Sequence, residues 1–321
     1  MRLEQVWTQY RAYRIPGLIL TEKGTLLAYY ECRKETTSDW SSIDLKVMRS
    51  TDGGDSWQTV CLLDGGDATL NNPVMIADGD TVHFLYCKNY KEIFYCRSTD
   101  DGRHFSAPAR KDEIDGDMQR PHTVIALGPG HGVAHDGDLI VPMWFANDPK
   151  DPQAHCPSWI ATVYSRDHGS TWRVGEILGE DLFVNPSECA LAVTGDGRLL
   201  NSIRNENVEH LRGLAISENG YEGWRDVRLA ETLPDPICQG SMASLGDTLY
   251  HVNCASQDPK QRTMLTLRIS RDCFATCEEI LIDELGGYAD VAVSEDWIYV
   301  LYERNVKEDG LYFRRLPRKS N

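Results

Sequence analysis

The sequence has no apolar run of roughly eighteen residues, the length a helix needs to cross a bilayer, so no membrane span is expected. Basic residues are in the minority, 33 Lys and Arg against 49 Asp and Glu, for a net charge of −16. That field repels phosphate backbones and argues against a nucleic-acid partner. It leaves room for a small anion, because a few converging arginines outweigh distant charge. The ten cysteines show no C-x-x-C pair and no His/Cys metal spacing, which excludes the common zinc frameworks. Cys273 and Cys277 stand closest together and are given no metal role. The opening MRLEQVWTQYRAYRIPG carries no apolar signal core. A cytoplasmic protein with reduced, mostly buried thiols is therefore the expectation. A sustained helical period is also missing, and no linker or compositional break divides the chain.

What remains is a succession of short apolar or alternating runs, such as GLILTEKGTLLAYYE, TVHFLYCK, SWIATVYSR and DVAVSEDWIYVLYE. Each is bounded by D-G, G-D, N-G or P-G, the pattern of strands joined by tight turns. One turn recurs as S-x-D-x-G-x-x-W/F, starting at Ser50, Ser98 and Ser165. A weaker copy starts at Ser217, with Asn219 for Asp and Tyr221 for Gly. Another starts at Ser270, keeping Asp272 but not the Gly or Trp. The starts lie 48, 67, 52 and 53 residues apart. A unit near about fifty residues suits one four-stranded propeller blade. Six such units fill residues 1–321, so the expected fold is all-β, a single six-bladed β-propeller with antiparallel blades. Within the turn, Asp can bond to local amides and Gly can adopt positive φ. Asp52, Asp100 and Asp167 therefore read as turn-builders rather than as catalysts.

The stretch YRIPG at Tyr13–Gly17, followed by GTLLAYYE and the repeated turn, resembles the start of a sialidase of the bacterial and animal exo-sialidase type. That family calls the turn an Asp box. The resemblance runs from Arg14 to Glu303. It implies that Arg14, Arg204 and Arg262 clamp a substrate carboxylate, with Glu303 bracing Arg14. It implies Tyr288, in GGYADVAV, as the nucleophile and Glu188, in NPSECALAV, as its base. It implies Asp39 as acid and base. Arg33, six residues earlier, would face the ring's 4-hydroxyl. Asn72 stands where many relatives have Asp, so it would bind the sugar without charge.

The residue types suit that chemistry. A guanidinium offers a planar fork to a carboxylate. A phenol is a neutral nucleophile toward an anomeric carbon that carries a carboxylate, but at a pKa of about 10 it needs a base to take its proton. Sialidases depart in this way from the usual carboxylate pair of glycosidases.

The expected activity is retaining hydrolysis of terminal α-ketosidic sialic acid, on a sialylated or ulosonic-acid-containing glycan, without metal or organic cofactor. A different 2-keto-3-deoxy sugar acid of the Kdn or Kdo type is an alternative. A non-catalytic propeller that binds sialylated glycans is another. Asp44, on a strand, and His131, in GPGHGV, are read as structural.

Overall fold

The computed structural model describes residues 1–4, 10–178, 181–259, 261–304 and 310–319. Six small sheets follow one another along the chain. Blade one runs Ala12–Leu20, Leu26–Arg33, Ile43–Ser50 and Gln58–Leu63. Blade two runs Leu70–Asp78, Thr81–Lys88, Glu92–Ser98 and Ala109–Arg110. Blade three contains Val124–Leu127, Asp138–Ala146, Ser158–Ser165 and Arg173–Val174. Blade four is Cys189–Val193, Leu199–Ile203, Leu211–Ser217 and Arg225–Pro234, and blade five is Ser241–Leu245, Thr248–Cys254, Thr263–Ser270 and Glu278–Leu285. Blade six takes Ala289–Val293, Trp297–Glu303 and Leu311–Pro317 from the end of the chain, and Arg2–Glu4 from its start. Pairing the two ends of the chain in one sheet closes the ring and covers an edge. A short helix, Asp112–Gly116, lies between blades two and three.

The apolar residues sit between blades. One cluster fills the space between blades two and three, with Val74, Leu85, Val141 and Phe145. Others join five to six, six to one, one to two, three to four and four to five. Each blade is thus apolar on both faces, which explains the continuous apolar runs in its inner strands.

Two sheets hold five strands rather than the expected four. The inner edge of blade three breaks at Gly128–Pro129–Gly130. Gly130–His131 then pairs in parallel with blade two before Val133–His135 returns to blade three. Pro129 has no amide hydrogen to continue the ladder, and Gly128 and Gly130 take positive φ of 45° and 102°. This detour carries His131 to the axis, where its Nδ1 lies 2.8 Å from the fully buried Asp290.

The repeated turns cement each blade to the one before it. A methyl group on Gly54 would strike Phe313 of blade six, one on Gly102 Leu27 of blade one, and one on Gly169 Tyr95 of blade two. In the two weaker copies an aromatic ring fills that gap. Tyr221 stacks on Tyr164 at 3.8 Å, and Phe274 is buried against blade four. Phe274 accepts a φ of 61° to do so, a conformation that ordinarily favours glycine.

In the third copy, Ser165 Oγ accepts from Gly169 N at 2.9 Å and donates to Asp167 at 2.8 Å. Ser165 is buried, so Ser165→Ala strands an amide. The expected loss is about 1–3 kcal/mol, read as a lower urea midpoint at unchanged slope. Hydrogen bonds from the Thr171 amide and hydroxyl hold Asp167 down to about 2. Its contribution is complete above the ordinary carboxylate pKa and is lost as pH falls towards about 2.

Candidate active site

The starts of the inner strands and the ends of the strands next to them share one mouth of the ring. Arg14 lies near the start of Ala12–Leu20. Glu188 and Tyr288 immediately precede Cys189–Val193 and Ala289–Val293. Arg33 and Glu303 end their second strands, and Arg204 follows Ile203. Together with Asp39, Asn72 and Arg262, most of these residues line a cavity of about 160 Å³.

Glu303, buried in blade six, fastens the first arginine. It accepts from Arg14 Nε at 3.1 Å and Nη2 at 3.3 Å, from Ile15 N at 2.9 Å and from Tyr288 N at 3.3 Å. Ile15 has a φ of 56°, and the blade-one ladder slips between Arg14 and Gly17. A β-branched residue is costly in that conformation. Here the kink turns the Ile15 amide onto Glu303. Burial disfavours the Arg14 charge, but Glu303, Tyr288 and Asp39 more than reverse this and hold it cationic.

Tyr288 is the hub. Its hydroxyl donates to Glu188 Oε1, while Arg204 Nη1 donates to Glu188 Oε2 and, at 3.1 Å, to the Tyr288 oxygen. The Arg14 and Arg262 guanidinium carbons stand 5.1 and 5.2 Å from the centre of the Tyr288 ring. All three arginines therefore converge on one phenol. Burial, then the Glu188 carboxylate, pushes its pKa up, against the pull of the arginines. The phenol is therefore neutral in the free site.

Glu188 is fixed through its backbone. Arg212, fully buried, donates to the Glu188 carbonyl at 3.3 Å and pairs with Asp235 at 3.0 Å. Arg262 differs from the other two arginines. Among the described residues it has no carboxylate partner, whereas Arg14 has Glu303 and Arg204 has Glu188.

Asp39 sits in the loop between the second and third strands of blade one, with its side chain 42% exposed. Its Oδ1 is 2.7 Å from Arg33 Nη2 and 3.6 Å from Arg14 Nη1. Burial would raise its pKa, but these two guanidinium groups hold the carboxyl below its usual range.

Arg33, expected on the sugar, has no exposed surface. Glu31, two residues earlier on the same strand face, draws it inward with bonds of 3.0 and 2.8 Å to Nε and Nη2. Arg33 therefore stands behind Asp39. Asn72 reaches the cavity wall, but its amide group is largely committed. It donates to Leu127 O and accepts from Asn71, both at 3.0 Å. Asp44 receives Tyr10 OH and Gly65 N at 2.9 Å each, in keeping with its structural reading.

Sequence reasoning missed the wall beside Asp39. Trp40, Tyr90, Trp144 and His155 form one aromatic cluster, with Trp40 and Tyr90 centroids 4.8 Å apart. His155 Nε2 and Trp144 Nε1 are buried without a partner. Burial lowers the His155 pKa, so its ring is neutral. These four residues come from three blades, and no local motif marks them. Among the described residues, no group of three His, Cys, Asp or Glu side chains is placed to hold a metal ion. No helix there is long and apolar enough to cross a membrane.

A six-bladed propeller with three arginines and a carboxylate-bonded tyrosine at its mouth defines the sialidase-type β-propellers. The chain belongs to the BNR repeat-like domain family, whose model matches residues 24–298. It is 27% identical over 344 residues to a sialidase of Bacteroides fragilis, covering 92% of this chain and 60% of that protein. It is 27% identical over 332 residues to a sialidase of Micromonospora viridifaciens, covering 91% and 50%. The chain thus spans between half and two thirds of these relatives. The solved Hadza microbial sialidase Hz136 shares the fold at a TM-score of 0.82 and 24% identity, over 96% of this chain and 66% of that one.

Proposed function

We propose that this cavity is the active site of a retaining exo-glycosidase that removes terminal α-ketosidically linked sialic acid from glycans. The observation that carries the reading is the hydrogen bond from Tyr288 to Glu188 beneath three converging arginines. The arginines take the sugar's carboxylate. Glu188 accepts the phenol proton as the Tyr288 oxygen attacks the anomeric carbon, and Asp39 protonates the departing glycosidic oxygen. In the second half, Asp39 deprotonates a water that attacks the same carbon. Tyr288 then leaves and recovers its proton from Glu188.

The decisive experiment is hydrolysis of Neu5Ac, Kdn and Kdo glycosides, with the first product followed by NMR. Release of the α-anomer first is expected, and β-anomer first would overturn the double displacement. The panel also identifies the sugar. Faster cleavage of Kdn or Kdo would assign the site to that class. Saturable binding with no product would assign it to a glycan-binding propeller.

Asp39→Ala should slow natural glycosides by ~10²–10⁴. Aryl glycosides with good leaving groups need little protonation and should lose far less. Equal losses on both substrates would remove Asp39 from the acid role.

A further inference from the structure

An acid catalyst must carry a proton, yet the free site holds Asp39 against two guanidinium groups. The charge balance of the free site bears on this conflict. The cluster around the cavity contains four guanidinium groups, Arg14, Arg33, Arg204 and Arg262, and four carboxylates, Glu31, Asp39, Glu188 and Glu303. With Asp39 ionised they cancel. A ligand carboxylate brings an extra negative charge into a small, largely enclosed space, where unbalanced charge is expensive. Glu206, exposed on the rim, adds to the same sign. The contact point is also specific. Glu303 occupies Nε and Nη2 of Arg14, and the nitrogen it leaves, Nη1, is the one that faces Asp39. The nitrogen left open to a ligand carboxylate is thus the one that pairs with Asp39 at 3.6 Å.

We propose that the incoming carboxylate displaces Asp39 from Arg14 and that Asp39 takes up a proton from solvent as it does so. This inference rests on the reading of the cavity as a sugar-acid site. Binding of the anion thereby loads its own acid catalyst, and the proton gained is the one later given to the leaving oxygen. Arg33, paired to Glu31, stays as the positioning residue that keeps the Asp39 side chain over the cavity.

Among the described residues, the groups facing Asp39 are few. Arg33, Arg14 and Glu31 come from blade one, Tyr90 follows the second strand of blade two, and His155 comes from the loop of blade three. Burial keeps Tyr90 protonated and His155 neutral. The free Asp39 carboxyl lies below its usual range, so it is ionised at mildly acid pH before ligand arrives.

The test is calorimetric titration of the whole chain with 2,3-didehydro-2-deoxy-N-acetylneuraminic acid. It is run between about pH 4 and 7 in buffers of different ionisation enthalpy, whose slope counts protons. Wild type should take up more than about half a proton per ligand at the acid end, with affinity falling as pH rises. Asp39→Asn, near-isosteric in a half-exposed loop, should still bind and take up almost none. Binding without uptake, or uptake that survives in Asp39→Asn through His155 or another group, would overturn the coupling alone. No binding to wild type would overturn the sugar-acid site itself, and the coupling with it.

Discussion

Tyr288→Phe should lower kcat by on the order of 10⁴-fold or more while leaving affinity for a sugar-acid analogue nearly unchanged. The substitution removes one oxygen. That oxygen lies between Glu188 and Arg204 and is the nucleophile in the proposed mechanism. The ring remains, so Arg14 and Arg262 keep the aromatic face they stand over. The carboxylate cradle thus survives while the covalent route is lost. The residual rate reports what the arginines and Asp39 achieve with water alone.

A second readout locates the bond. A 2,3-difluoro sialic acid, whose fluorine slows release of the sugar, should add mass to the peptide that contains Tyr288 in the wild type. It should add none in the variant. Label on Glu188 or on any other peptide would reassign the nucleophile.

Some of this architecture is visible before any coordinates, because it rests on local chemistry. Ser50, Ser98 and Ser165 repeat one self-bonded turn, and the copies at Ser217 and Ser270 keep the serine that caps it. Turn chemistry is readable because its partners lie within a few residues. The joining of Arg2–Glu4 to the last blade is a contact across the whole chain, and the detour at Gly130–His131 depends on a neighbouring blade. Neither has a short-range signature.

The same division runs through the site. Arg14, Glu188, Arg204, Arg262, Tyr288 and Glu303 stand in recognisable family contexts and meet in one cluster. Arg33 has the expected spacing from Asp39, but that spacing is equally compatible with a buried pair. Glu31, on the same strand face, decides it. The aromatic wall of Trp40, Tyr90, Trp144 and His155 is assembled only when three blades close.

Arg14→Ala and Arg262→Ala should separate binding from stability. Both remove a guanidinium from the cradle, and each should cost ~1.5–3 kcal/mol of carboxylate recognition, seen mainly in kcat/KM. Their effects on folding should diverge. Arg14 is the partner of a carboxylate with 1% side-chain exposure. Deleting it leaves the buried Glu303 carboxyl, among the described residues, with only the Ile15 and Tyr288 amides, at a cost of about 3–5 kcal/mol. Arg262 has no such partner among the described residues, so its loss should leave the urea midpoint almost unchanged. Adding Glu303→Gln to Arg14→Ala should recover part of the lost stability and none of the lost binding. Arg14→Lys should rescue little, since one ammonium cannot hold Glu303 through two nitrogens and still present a third to the ligand. Equal destabilisation by Arg14→Ala and Arg262→Ala would mean that Glu303 is not the dependent partner. The bracing of Tyr288 through its backbone would then need another source.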